Sequence, residues 1–101
     1  MSIHDYKLVY YNLYIVKTEK QFEIIFAKTY PNFTKDLVDK YGKFSYNELK
    51  MCMYLRMGFS NEKILNEFNI SKSTFANLRS GVRKKMGLKR SQNLVNSILS
   101  I

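Results

Sequence analysis

A chain of 101 residues with 46% hydrophobic side chains is sized for one domain or a small domain with an appendage, and its core can only be modest. The formal net charge of +9 is lopsided: residues 1–44 carry 7 basic and 5 acidic side chains, whereas residues 45–101 carry 10 and 3. One cysteine (Cys52) excludes an internal disulfide, a single histidine (His4) beside it leaves too few Cys and His ligands for a zinc site, and four scattered glycines form no glycine-rich phosphate loop. No catalytic residue, metal or cofactor is therefore expected, and an enzyme is not.

A basic surplus in one half of a chain suits a polyanion, either nucleic acid or an anionic membrane surface. The apolar and basic segments lie far apart rather than on one amphipathic helix, which argues against the membrane. The longest apolar run, LVYYNLYIV, is broken by Asn12 and too short for a bilayer. MSIHDYK lacks a charged start followed by a cleavable apolar segment. With a single cysteine set in an apolar run, the expected compartment is the cytoplasm.

Residues 3–17 (IHDYKLVYYNLYIVK) fit two readings. Their Tyr, Val and Ile content suits a strand, but Tyr6, Val9, Tyr10, Leu13 and Val16 also fall at helical spacing. No partner strand is evident elsewhere, so helix is preferred. Thr18-Glu19-Lys20-Gln21 has the form of a capping box, and Phe22, Ile25, Phe26 and Tyr30 make an apolar stripe that Pro31 ends near Thr29. Thr34 is placed to cap a short helix with Leu37, Val38 and Tyr41 inward, stopping at Gly42.

From Ser45 onward the signals come quickly. Ser45-Tyr46-Asn47-Glu48 is a second capping box, opening a helix in which Leu49, Cys52, Met53 and Leu55 are expected inside. Gly58 closes it. Ser60 caps a helix bearing Ile64, Leu65 and Phe68, and Asn69 is the turn residue best able to take positive φ. Ser71 caps the next helix, which runs to about Met86 and stops at Gly87. Ser91 is expected to start a tail helix with Leu94, Val95, Ile98 and Leu99 on one face. The chain reads as all-α: an N-terminal helical extension, residues 1–43, then a four-helix domain, residues 44–101.

Ser60 to Met86 meets the requirements of a helix-turn-helix, with Ile64 and Phe68 from one helix, Ile70 from the turn, and Phe75, Leu78 and Val82 from the next. Ser71 to Arg90 holds seven Lys or Arg residues and no Asp or Glu. At about 100° per residue, Phe75, Leu78, Val82 and Met86 share one face; Ser73, Asn77, Ser80 and Lys84 share the opposite one, flanked by Ala76 and Arg83. Ser73, Ala76, Asn77 and Ser80 are thus candidates to face base edges of double-stranded DNA. The Ser71 and Thr74 hydroxyls at the helix start, and Arg83, Lys84, Lys85, Lys89 and Arg90 beyond, are candidates for phosphate. Cations in a last turn also stabilise any helix through its dipole, by about 0.3–1 kcal/mol each, and Arg83, Lys84 and Lys85 invite that plain reading too.

The order of these motifs resembles the LuxR/FixJ-type DNA-binding domain of bacterial transcriptional regulators. The matching stretches are Phe44-Ser45-Tyr46-Asn47-Glu48, Gly58-Phe59-Ser60-Asn61 with Ile64, Ile70-Ser71-Lys72-Ser73-Thr74-Phe75, and Lys85-Met86-Gly87, across residues 44–101. The resemblance implies a scaffold helix after Gly58, a groove-reading helix after it, and a last helix that often makes a dimer contact. It implies base-facing Ala76, Asn77 and Ser80, phosphate-facing Thr74, Lys84, Lys85 and Lys89, and a structural Glu48. This sequence departs from the pattern at Leu65, where a small alanine is usual, at Gly81 inside the reading helix, and at Ala76 and Leu78, where cationic or imidazole groups are usual. Any phosphorylation switch of the family's kind would reside on a separate signalling partner.

The aromatic residues between 6 and 30 exceed what one helix-turn-helix core needs. They suit a helical cap, a homodimer contact through residues 3–30, or a ligand pocket; the tail helix, residues 91–100, is the other candidate dimer contact. The leading expectation is a DNA-binding transcriptional regulator, and the alternative is a repurposed helix-turn-helix that serves as a protein-interaction module.

Overall fold

Ser45, Ser60 and Ser71 each stand in extended backbone one residue ahead of a helix, and each accepts a hydrogen bond from the amide three residues on. These caps set the helix starts in the computed structural model, which describes residues 19–101. The expectations placed on residues 3–17 and Thr18 lie outside the described residues. The described residues are all-α, with six helices and no strand: α1 Glu19–Thr29, α2 Phe33–Tyr41, α3 Tyr46–Arg56, α4 Asn61–Phe68, α5 Lys72–Lys85 and α6 Leu94–Leu99. Two compact units divide the chain, residues 1–33 and 34–101, so residues 34–43 cluster with the C-terminal part.

In the first unit the phenylalanines of the expected α1 stripe are inward, while its Ile25 and Tyr30 are half-buried. Phe22 and Phe26 are buried, with ring centroids 5.9 Å apart. Phe26 also meets Tyr30 at 5.2 Å and, edge-on, Phe33 at 5.4 Å. The Thr29 hydroxyl donates to the Ile25 carbonyl (3.0 Å), and Pro31 follows the end of the helix.

Thr34 does not cap α2. The helix starts a residue earlier, where the Phe33 amide donates to the Tyr30 carbonyl (3.2 Å), so Thr34 lies within the first turn. Leu37 is fully buried, while Val38 and Tyr41 are half-buried.

In the second unit α3 is central: α5 and α6 both pack against it. Its buried residues are Glu48, Lys50, Met51, Cys52, Tyr54 and Leu55, which surround most of the helix. Leu49 and Met53, expected inside, are only half-buried, and Met51 and Tyr54 take those places. A helix covered from more than one direction has no single apolar stripe to read. Burial pushes the Cys52 thiol up to about 12, with the Glu48 charge adding to the effect, so at neutral pH it is an inert core group rather than a nucleophile.

The α3 and α5 helices end alike. After α3, Gly58 takes φ +86°, its amide donates to the Leu55 carbonyl (3.0 Å), and the Phe59 amide reaches back to Tyr54 (3.0 Å). After α5, Gly87 takes φ +65°, with amide bonds from Gly87 to Lys84 (3.1 Å) and from Leu88 to Arg83 (3.0 Å). Both are Schellman stops, which satisfy carbonyls that the helix leaves open. The first adds an apolar clasp, with the Phe59 ring stacked on Tyr54 at 5.0 Å.

Between α4 and α5 the chain turns in three residues. Asn69 is the one non-glycine with positive φ among the described residues (φ 53°, ψ 47°), as expected, and its amide donates to Leu65. Phe68 meets Tyr54 edge-on at 5.6 Å, which ties the end of α4 to α3. Leu65, the large residue in this helix, is half-buried.

Ser91 does not start α6. Asn93 is the cap, its side-chain oxygen accepting the Asn96 amide (2.9 Å), and the helix is shorter than its apolar pattern suggests. Leu94 and Ile98 are buried, Val95 is half-buried, and Leu99 is 46% exposed. Among the described residues no helix is long and apolar enough to cross a membrane.

Candidate nucleic-acid interface

The α5 helix sorts its residues by face as the 3.6-residue repeat dictates. Phe75 and Val82 are buried, as is Met86 at its end; Leu78, Arg79, Gly81 and Arg83 are half-buried. Ser73, Ala76, Asn77, Ser80 and Lys84 form the exposed stripe, with Lys72 and Thr74 also exposed. The sequence-derived base-facing set is thus brought together on one open surface. Beyond Glu67 the chain has no acidic residue.

At the start of α5, the Ser71 oxygen accepts the Thr74 amide (3.1 Å) and donates to the Thr74 hydroxyl (2.9 Å), with the Ser73 hydroxyl 3.1 Å away. Ser71 is occupied as a cap. The Thr74 hydroxyl, used here as an acceptor, keeps its own proton for an outside acceptor.

The basic residues that look equivalent in sequence separate into two groups. The side chains of Lys72, Lys84, Lys89 and Arg90 are exposed and enter no ion pair or hydrogen bond among the described residues. Arg79, Arg83 and Lys85 are held by the protein itself. Arg79 is half-buried, its guanidinium 5.9 Å from the Phe75 ring centroid and 3.4 Å from the Asn61 side-chain oxygen on α4. Burial, and then the Arg83 charge, lower its basicity from the ordinary arginine value. Arg83 donates to the carbonyls of Gln92 (2.9 Å) and Lys89 (2.8 Å). Lys85 donates to the Glu48 carboxylate, with its ammonium 5.6 Å from the Phe44 ring centroid. Arg83 and Lys85, expected to face phosphate, are turned onto internal acceptors because α5 ends between the start of α3 and the turn before α6. The phosphate-facing set narrows accordingly.

Glu48 is the hub of that end of the unit. Its Oε1 accepts both the Ser45 amide (2.8 Å) and Lys85, while its own amide donates to the Ser45 hydroxyl (3.1 Å). Burial alone would raise its pKa. The hydrogen bonds from Lys85 and from the Ser45 amide and hydroxyl, with the Lys85 charge, outweigh that and hold the carboxyl below the ordinary carboxylate value. The stability this supplies is present above the ordinary value of 4.5 and is lost as pH falls through the lowered one. Glu48→Gln should therefore lose stability near neutrality yet show a shallower acid limb than wild type. Urea unfolding between about pH 6 and 2.5 measures both, and parallel limbs would refute it.

Gly81 has its reason in the same place. A Cβ built there would lie 2.9 Å from Glu48 Oε2, closer than side chains approach. Sequence reasoning finds only a helix-weakening glycine costing about 1 kcal/mol against alanine; the cause lies on α3, far away in the chain. Gly81→Ala is expected to yield none of that helix-propensity gain in wild type, and to recover about 1 kcal/mol once Glu48 is alanine. A thermal-melt double-mutant cycle reads the difference. Equal gains in both backgrounds would mean that the carboxylate is not the obstacle.

The chain matches no family model, no curated protein and no solved structure. What it does must therefore be argued from its own side chains. Among the described residues no three His, Cys, Asp or Glu groups converge as metal ligands would. The open α5 surface offers hydrogen-bonding groups and positive charge instead.

Proposed function

We propose that this chain binds duplex DNA and acts as a transcriptional regulator, with α4 and α5 used as a LuxR/FixJ-like helix-turn-helix. The observation that carries the reading is the α5 stripe: Ser73, Ala76, Asn77 and Ser80 exposed together, with the unpaired Lys84 at its end. Hydroxyls and an amide can meet base edges in a major groove, while Lys72, Lys84, Lys89 and Arg90 meet phosphates on either side. Asn77 is the residue suited to a bidentate contact with adenine, and Ala76 offers only apolar contact. Backbone attraction accordingly supplies most of the affinity, and base reading supplies a modest remainder.

Selection of bound duplexes from a random pool, followed by anisotropy titrations across a salt series, tests this. Log affinity should fall linearly with log salt. Asn77→Ala should blunt discrimination between selected and scrambled sites by about 1–3 kcal/mol while leaving the salt slope alone. No binding to any duplex at low salt would end the proposal.

A second reading is favoured by two exposed large apolar residues of the same unit, Tyr46 (60% exposed) and Leu99 (46% exposed). They suit a protein partner, whether a second copy or a regulator that this chain blocks. Retention of a specific protein by the purified chain, with no DNA shift, would select that reading.

A further inference from the structure

Arg83 is marked in the sequence as one more phosphate cation, yet its geometry gives it a different task. Both ends of this residue hold the connection from α5 to α6. Its carbonyl accepts the Leu88 amide (3.0 Å) in the helix stop, and its guanidinium donates one Nη to the Lys89 carbonyl (2.8 Å) and the other to the Gln92 carbonyl (2.9 Å). The span between those carbonyls is a closed turn. The Gln92 amide donates to the Lys89 carbonyl (2.9 Å), and the Lys89 amide donates to the Gln92 side-chain oxygen (2.7 Å). Arg90 and Ser91 are its exposed central residues. The turn that Arg83 grips thus carries two of the four exposed cations between Ser71 and Arg90 that have no partner among the described residues, Lys89 and Arg90.

We infer that Arg83 is a positioning residue for DNA: by forking onto two carbonyls it pre-sets the turn that presents Lys89 and Arg90 to phosphate. This rests on the DNA-binding reading above. The chemistry is specific to arginine. A planar guanidinium can reach two carbonyls with fixed directions, whereas a lysine ammonium keeps the charge but not the fork. Without the fork, binding must itself order the turn and two long side chains, and affinity falls by that ordering cost.

Arg83→Lys separates this role from direct phosphate contact. Anisotropy titrations on a selected duplex should show about a tenfold loss for Arg83→Lys in the wild-type background, with the salt slope kept. The loss should vanish when Lys89 and Arg90 are already alanine. Amide hydrogen exchange on the free protein should accelerate across 88–93 in Arg83→Lys and leave α3 unchanged, which reads the clamp without any DNA. Wild-type affinity in Arg83→Lys would show that charge alone suffices, and so overturn the inference. So would an undiminished loss in the Lys89/Arg90 double-alanine background, which would mark a general structural effect. Unchanged exchange at 88–93 would refute the clamp itself. Wild-type protein that binds no duplex would instead bring down the DNA reading, and the positioning role with it, while the exchange result still decides whether the turn is clamped.

Discussion

With Lys84, Lys89 and Arg90 all changed to alanine, duplex DNA should be bound on the order of a hundredfold more weakly near 0.15 M salt, and the salt slope should fall by about 2.7. Each of these cations is exposed and has no partner among the described residues, so each is free to displace condensed counterions from a phosphate. The slope is the more telling quantity, because loss of a phosphate contact changes it whereas loss of packing does not. Lys85→Ala is the contrasting case. It removes the same formal charge, but that charge is already spent on Glu48, so its effect should appear mainly as lower stability. A triple variant that keeps the wild-type slope would show that this surface is not the electrostatic grip.

Ile98→Ala should be the more damaging change to the fold, costing about 2–5 kcal/mol. Ile98 is fully buried on α6, and α6 packs against the central α3. Stability of a small domain amounts to roughly 0.05–0.15 kcal/mol per residue, so one such cavity removes much of the total and should lower the melting temperature by about ten degrees or more. The adjacent Leu99 is 46% exposed, and Leu99→Ala should stay within about 0.5 kcal/mol. Urea unfolding of the two variants side by side makes the comparison. Equal losses would mean that α6 presents a different face to α3. A concentration-dependent effect confined to Leu99→Ala would point to contact between copies of the chain.

Local devices were legible and distant ones were not. Ser45 with Glu48, Ser60 and Ser71 could be identified as caps because a cap is settled within four residues. Asn69 could be placed in the left-handed region because few other residues tolerate it. The buried and exposed faces of α5 followed from their period. Thr34 and Ser91 misled for a related reason: a hydroxyl residue before an apolar pattern is a frequent cap, but Phe33 and Asn93 already fixed the two starts. The inward face of α3 was legible only in part: Cys52 and Leu55 are buried as expected, but burial by α5 and α6 together blurs the stripe and brings Met51 and Tyr54 inside in place of Leu49 and Met53. No spacing rule separates Lys85 from Lys84, or Arg83 from Arg90. Those distinctions come from Glu48 and from two carbonyls that only the folded chain brings near. The candidate surface could thus be found in the sequence, while its division into free and committed cations could not.

The packing of α6 on α3 also has a kinetic meaning. Each helix from α3 to α6 is started and stopped by contacts a few residues long, which form on the timescale of a single turn. Joining the first and last of the helices after Gly42 instead closes a loop through everything between them, and loop closure is the slow, entropically opposed event. The α6 helix is accordingly expected to dock late in folding and to leave early in unfolding. Detachment of α6 from α3 then sets how long the native state lasts, even though the proposed binding surface lies on α5.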